Sequence, residues 1–150
     1  MKKIASFTVD HNKLMPGVYV SRCDGDITTY DLRFIKPNTP PFLTNPVMHT
    51  IEHLFATYAR NSEYADKVIY FGPMGCRTGF YFLVRDMNRC DALNLIKDLV
   101  VKCFSHTGPI PGQSAQECGN WREMDFEGAV IALKEYYNTL KNKEVDDLEY

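Results

Sequence analysis

Two histidines separated by three residues constrain this chain more than any other feature of its sequence. The segment His49-Thr50-Ile51-Glu52-His53 brings both imidazoles to one side of a helix, because residues four apart lie one turn above each other. Imidazoles placed in this way can bind one metal ion, and the adjacent Glu52 carboxylate is suited to proton exchange. The segment therefore predicts a helix that carries a metalloenzyme site.

Apolar residues within and around this segment support the predicted helix. Five of them recur at helical spacing, namely Val47, Ile51, Leu54, Phe55 and Tyr58. We expect the helix to begin near Pro46, where the missing N–H of proline has no consequence, with Asn45 as the N-cap. The competing interpretation is an ordinary polar helix face with two solvated histidines.

A third metal ligand must come from elsewhere in the chain. Cys118 is the best candidate, because it lies in the loop Glu117-Cys118-Gly119-Asn120, where glycine permits close approach of the backbone. His106 is the weaker alternative. Three protein ligands would leave one position for water or substrate, which is typical of a catalytic metal site.

The five cysteines form an odd set without dense pairing, which in a reducing compartment predicts free thiols, metal ligands or a catalytic thiolate rather than disulfides. Cys76 stands in a glycine-rich turn beside Arg77, whose charge would favour a reactive thiol. From these residues alone, a reactive and an unreactive thiol at Cys76 are equally compatible with the sequence. Cys103 in an apolar helical stripe and Cys90 at a helix start predict packed thiols, and Cys23 is interpreted as structural.

The remaining patterns predict an α+β fold with an antiparallel sheet, in a single domain over residues 1–150. Strands are predicted in a hairpin over 17–36 that turns at 24–26, and at 68–71 and 78–85. Helices are predicted at 91–104 and 126–141, with a functional loop over 105–122 between them. The acidic tail 144–150 is expected to fray.

Composition limits the partners of such a domain. The 17 Lys and Arg nearly balance the 19 Asp and Glu, so no strong field attracts nucleic acid or an anionic membrane surface. No stretch approaches the roughly 20 apolar residues that a spanning helix needs, and the start of the chain is too polar for a secretory signal. We expect a cytoplasmic protein that binds a small neutral or zwitterionic molecule, neither nucleic acid nor membrane.

Several segments together resemble the LuxS family. They are 6–11, which begins Ser-Phe and ends in His; 31–34, Asp-Leu-Arg-Phe; 49–53; 74–79, Met-Gly-Cys-Arg-Thr-Gly; and 117–119, Glu-Cys-Gly. An isolated His-x-x-Glu-His pattern is weak, but its combination with the 74–79 turn and the later Cys-Gly is highly specific in so short a chain.

The resemblance implies a homodimer with an antiparallel sheet packed against helices, and active sites at the interface with residues from both chains. It also implies a carbon–sulfur lyase that cleaves S-ribosylhomocysteine to homocysteine and 4,5-dihydroxy-2,3-pentanedione, the precursor of the quorum-sensing signal autoinducer-2. The implied cofactor is ferrous iron, with zinc or cobalt as substitutes.

The resemblance further assigns roles to individual residues. It implies metal ligands at His49, His53 and Cys118, proton transfer by Cys76 and Glu52, and substrate contacts at Ser6, His11 and Arg33. By its strand position alone, Arg33 suits a surface ion pair equally well.

Two other classes of protein compete with this interpretation. A metallopeptidase uses the same inverted motif, with water attacking a peptide carbonyl, but its usual third ligand is a carboxylate. A binding module with a structural metal would instead close the coordination with a fourth ligand, either His106 or Cys76.

Overall fold

A four-stranded antiparallel sheet, covered on one face by three helices, forms the fold of this computed structural model, which describes residues 1–150. The strands are β1 (Gly17–Asp24), β2 (Ile27–Arg33), β3 (Val68–Pro73) and β4 (Gly79–Arg85), and the helices are α1 (Asn45–Arg60), α2 (Arg89–Phe104) and α3 (Phe126–Leu140). The strand order is β1-β2-β4-β3, and every neighbouring pair is antiparallel. This architecture confirms the predicted α+β class. None of the helices combines the length and apolar character needed to cross a bilayer.

The two faces of the sheet differ because side chains alternate along each strand. Leu32 pairs with Val18 and Phe80, and all three are fully buried in the core beneath the helices. The preceding residue, Asp31, pairs with Tyr19 and Tyr81 on the opposite face. We call this second face, which none of the three α-helices covers, the open face.

Helix α1 begins with a different cap from the predicted one. Thr44, in an extended conformation, is the N-cap, and its side chain accepts a hydrogen bond from the Val47 N–H at 3.4 Å. The prediction of Asn45 was wrong by one residue, because threonine and asparagine both satisfy the cap and the sequence does not rank them here. Asn45 is instead the first residue of the helix.

The carboxy-terminal tail is docked on the domain, contrary to the prediction that it frays. Val145–Leu148 form a short 3-10 helix, capped by reciprocal hydrogen bonds between Glu144 and Asp147. Leu148 is fully buried in the main core. The prediction was wrong because it counted the acidic residues of the tail, whereas one apolar anchor and a local cap hold the segment in place.

Candidate active site

Three side chains converge where α1 meets the loop between α2 and α3. The ligand atoms of His49, His53 and Cys118 all lie within 4.8 Å of one another. The Cys118 sulfur is 3.4 Å from Nε2 of His49, and all three side chains are half-buried. Two imidazoles and a thiol form a donor set that suits zinc and neighbouring divalent ions. The residues present therefore fit a metal ion.

Backbone carbonyl groups orient the two imidazoles. His49 Nδ1 donates to the carbonyl of Glu123 at 2.9 Å, and His53 Nδ1 donates to that of Pro111 at 2.7 Å. Because a carbonyl oxygen only accepts, both Nδ1 atoms carry a proton, and in the neutral imidazole each Nε2 atom keeps a lone pair for a metal. Neither carbonyl is predicted by the sequence, and the only signal for Pro111 is the richness of this loop in proline and glycine.

Gly112 allows the loop to approach His53. Its φ of +71° lies in the left-handed region, and a Cβ built on it would come within 3.0 Å of His53 Nδ1. Glu52 and His53 line a small cavity of about 320 Å³ together with Gly112. We call this side of the protein, defined by His49, Glu52, His53 and Cys118, the metal half-site.

His106 is not part of this cluster. Its Nε2 donates to the carbonyl of Pro109 at 3.0 Å, so its Nδ1 accepts from the Tyr58 hydroxyl at 2.8 Å. Both ring nitrogens are thus engaged in local contacts. His106 therefore supplies neither the third ligand nor the fourth one that a closed structural site would require.

Cys76 lies at the bend between β3 and β4, with its side chain exposed to solvent. The following residue, Arg77, adopts a φ of +60°, which is uncommon for a residue other than glycine. The guanidinium that contacts Cys76 belongs to Arg33, whose Nη1 is 4.0 Å from the sulfur, whereas Arg77 lies over the ring of Phe42. The predicted charge beside Cys76 is therefore present, but it comes from Arg33 rather than from Arg77.

Arg33 is buried, which the alternative of a surface ion pair did not anticipate. Its Nη2 donates to the Asp31 carboxylate at 2.6 Å, and the two residues are only 3% and 0% exposed. Nη1 donates to the Thr78 hydroxyl at 2.7 Å. Burial alone would lower the pKa of Arg33, but the charge and hydrogen bond of Asp31, together with the nearby Cys76 and Tyr150, outweigh burial, so the pKa is raised. A permanent buried charge therefore lies next to Cys76.

The three predicted substrate contacts lie beside Cys76. Ser6, His11 and Arg33 line, together with Cys76, a cavity of about 370 Å³ at the mouth of the β3–β4 turn. His11 is held by a hydrogen bond from its Nδ1 to the carbonyl of Val9 at 2.9 Å. We call these four residues of the cavity the cysteine half-site.

Residues of the two half-sites line separate cavities of the chain. No residue lines both the cavity beside Cys76 and the cavity beside His53. The group of possible ligands consists of His49, His53 and Cys118 alone. Cys76 therefore does not close the coordination as a fourth ligand, and it does not approach Glu52 within the same cavity.

The other three cysteines lie outside both half-sites. Cys103 is fully buried in the core, as predicted, and burial raises its pKa. Cys90 is exposed at the second position of α2, so the prediction of a packed thiol was wrong, because the buried face of this helix begins only at Ala92. Cys23 is likewise exposed, near the end of β1. All five cysteines are free thiols.

Comparison with known proteins places this geometry in a family. The family model described as S-Ribosylhomocysteinase (LuxS) matches residues 4–147. The chain is 45% identical to the S-ribosylhomocysteine lyase of Borreliella afzelii over 156 aligned positions, which cover 100% of this chain and 99% of the relative. It is 47% identical to the proteins of the same name from Finegoldia magna and Desulfotalea psychrophila, with the same coverage of each chain.

Proposed function

The chain belongs to the LuxS family of S-ribosylhomocysteine lyases, and we propose that it cleaves S-ribosylhomocysteine to homocysteine and 4,5-dihydroxy-2,3-pentanedione, the autoinducer-2 precursor. Besides the family membership, one structural observation supports this proposal. The ligand atoms of His49, His53 and Cys118 lie within 4.8 Å of one another, and His53 also lines the cavity that contains Glu52. The proposed chemistry is carbonyl migration along the ribose, followed by β-elimination of the thioether. It moves protons and breaks a C–S bond, so it requires no redox cofactor.

We assign the metal to His49, His53 and Cys118, and we propose ferrous iron, with zinc or cobalt as substitutes. When bound, such an ion supplies Lewis acidity that makes the hydrogens next to the sugar carbonyl easier to remove. The hydrogen bonds from the Nδ1 atoms to backbone carbonyls support this assignment, because they leave each Nε2 free as a ligand. A soft thiolate with two imidazoles suits either iron or zinc.

Cys76 and Glu52 are proposed as the two proton-transfer residues. Each carbonyl shift requires a base to remove a proton from one carbon and an acid to return it to the neighbouring carbon. In the last step a proton next to the C3 carbonyl is removed and homocysteine leaves, and we assign Glu52 to this late step. The exposed Cys76 thiol and the half-buried Glu52 carboxylate are accessible to a ligand in their cavities.

Ser6, His11 and Arg33 are proposed to contact the substrate. Their hydroxyl, imidazole and guanidinium groups surround the cavity that Cys76 lines, and each can bind a hydroxyl or carboxylate of the ligand. A zwitterionic, hydroxyl-rich substrate matches these groups in polarity.

We propose that the enzyme is a homodimer whose active sites each combine the metal half-site of one chain with the cysteine half-site of the other. The absence of a shared cavity within one chain supports this arrangement. The open face of the sheet also supports it, since apolar residues such as Ile4 and Phe7 beside it are 56% and 69% exposed. The free thiols are consistent with the cytoplasm, where we place the protein.

The lyase activity is tested by anaerobic purification, metal analysis and detection of the thiol released from S-ribosylhomocysteine. We expect release that depends on the metal, and hydrolysis of peptides would favour the metallopeptidase alternative instead. Metal-loaded protein without thiol release would support a structural metal and contradict the proposed function.

The composite site is tested by mixing two inactive variants. Cys76→Ala and Cys118→Ala chains, co-expressed and purified together, form mixed dimers in which one site of two regains both half-sites. Random assortment then restores about one quarter of wild-type activity. Each variant alone stays inactive, and an inactive mixture that contains mixed dimers would show that both half-sites act within one chain.

A further inference from the structure

The last residue of the chain reaches the buried ion pair beside Cys76. The Tyr150 hydroxyl donates to Oδ2 of Asp31 at 2.8 Å, and its ring stacks on Tyr19 with a centroid distance of 5.0 Å and an interplanar angle of 14°. The buried Leu148 and an ion pair between Glu149 and Arg89 fix the chain just before it. The position of Tyr150 is therefore set by several independent contacts.

Asp31 joins Tyr150 to Arg33 through a single oxygen. Its Oδ2 accepts from the Tyr150 hydroxyl at 2.8 Å and from Arg33 Nη2 at 2.6 Å, while its Oδ1 is buried without a hydrogen-bond partner. The tyrosine thus supplies one of the two side-chain hydrogen bonds of a fully buried carboxylate. Such a group is costly to leave with fewer partners.

The same guanidinium reaches the proposed proton-transfer residue. Arg33 Nη1 donates to the Thr78 hydroxyl at 2.7 Å and lies 4.0 Å from the Cys76 sulfur, which is itself 3.1 Å from the Thr78 oxygen. The Nε of Arg33 is buried without a partner. The orientation of the guanidinium therefore depends on Asp31 at one end and Thr78 at the other.

We propose that Tyr150 is a positioning residue, which acts through Asp31 to hold Arg33 against Cys76 and so sets the rate of proton transfer. This inference rests on the proposed function of Cys76. Burial, followed by the charge of Asp31, raises the pKa of Tyr150, so the hydroxyl stays protonated and continues to donate at neutral pH. The carboxy-terminal residue thereby becomes part of the support of the cysteine half-site.

The decisive variant is Tyr150→Phe, which keeps the ring on Tyr19 and removes only the hydroxyl. We expect kcat for thiol release to fall roughly three- to tenfold, as for the loss of one hydrogen bond, with the metal content unchanged and the melting temperature lower by only a few degrees. The matched control is Tyr137→Phe on α3, a half-buried tyrosine that packs against Phe104. It should keep kcat within about twofold of wild type.

A second readout separates positioning from packing without using the substrate. Iodoacetamide labelling of Cys76 is followed by mass spectrometry at one pH, with the exposed Cys90 of the same sample as the internal reference. In Tyr150→Phe we expect Cys76 to react about threefold more slowly relative to Cys90, since a nearby positive charge favours thiol reactivity.

The outcomes of the two measurements are distinct. Slower labelling of Cys76 in Tyr150→Phe, combined with a wild-type protein that releases no thiol, would support the positioning role and contradict the proposed function. An active wild type whose Tyr150→Phe variant matches Tyr137→Phe in both measurements would overturn the role of Tyr150. Equal slowing at Cys76 and Cys90 would also overturn it, because it indicates a global change.

Discussion

The two half-sites are held in place by different forces. In the metal half-site, the helical repeat sets the spacing of His49 and His53, and two backbone carbonyls orient their half-buried rings. In the cysteine half-site, a buried ion pair with Asp31 fixes the position of the Arg33 guanidinium. The metal half-site depends on backbone structure, from one helix and one distant loop, and the cysteine half-site depends on a buried ion pair.

This difference predicts how each half-site fails. Loss of a neutral hydrogen bond typically costs about 1 kcal/mol, whereas removal of one partner of a buried ion pair costs about 3–5 kcal/mol. Changes in the metal half-site should therefore alter metal binding while the fold persists. Changes in the ion pair of the cysteine half-site should weaken the whole domain.

The largest effects are expected from two cysteine substitutions that divide the half-sites by function. Cys76→Ala should lose roughly 100- to 10,000-fold in turnover while it retains its metal, because only the proposed proton-transfer group is removed. Cys118→Ala should lose both metal and turnover, because one of three ligands is gone. Elemental analysis and thiol release measure the two properties. Wild-type-like turnover in Cys76→Ala would remove this residue from the mechanism.

The next largest effect is expected from Asp31→Ala, which leaves the charge of Arg33 buried and unpaired. The free energy of unfolding should fall by about 3–5 kcal/mol in urea denaturation. The matched control is Asp24→Ala, which breaks the exposed pair between Asp24 and Arg22 on the neighbouring strand and should leave stability unchanged. If both variants lost the same free energy of unfolding, the buried ion pair would not stabilise the cysteine half-site more than an exposed pair stabilises the surface.

A smaller effect is expected from Gly112→Ala in the metal half-site. The new Cβ would lie 3.0 Å from His53 Nδ1 at a φ of +71°, so the loop must shift and loosen the hydrogen bond to Pro111. We expect metal affinity to fall roughly tenfold, measured by competition with a chelator. Gly108→Ala is the control, since its φ of +89° imposes the same backbone strain with no neighbour within 4 Å. Equal affinities in the two variants would mean that contact with His53 is irrelevant.

The smallest effect is a loss of stability at alkaline pH, and it arises from tyrosines around Asp31, the ion-pair partner of Arg33. Burial, and then the charge of Asp31, raises the pKa values of Tyr19, Tyr81 and Tyr150 above the usual 10.0. Their neutral forms therefore stabilise the folded state fully below pH 10, and this contribution is lost as the pH rises through the folded pKa values. Tyrosinate absorbance should show late ionisation that coincides with unfolding. Ionisation of all tyrosines near pH 10 in a folded protein would contradict the expectation.

Much of the metal half-site follows from local patterns. The spacing of His49 and His53 on a helix depends on one turn of backbone, which the apolar residues around them predict. The loop and the glycine neighbour of Cys118 predict its thiol as the third ligand, and the structure brings its sulfur to 3.4 Å from Nε2 of His49, 69 residues away. The carbonyls of Glu123 and Pro111 could not be predicted, because a carbonyl is present at every residue and only the folded loop selects one.

The cysteine half-site depends more on the tertiary structure than on local sequence patterns. Cys76 and Arg33 are recognisable as chemical groups in the chain, but their contact, 43 residues apart, requires β2 and β4 to pair in register. Tyr150 meets Asp31 across 119 residues only because Leu148 anchors the tail in the core. Helical spacing, turn chemistry and residue type act within a few positions and can be read along the chain. Asp31, the partner that neutralises Arg33, lies two residues away on the same strand, but the burial of this ion pair depends on how distant strands and the tail pack, so it appears only once the chain has folded.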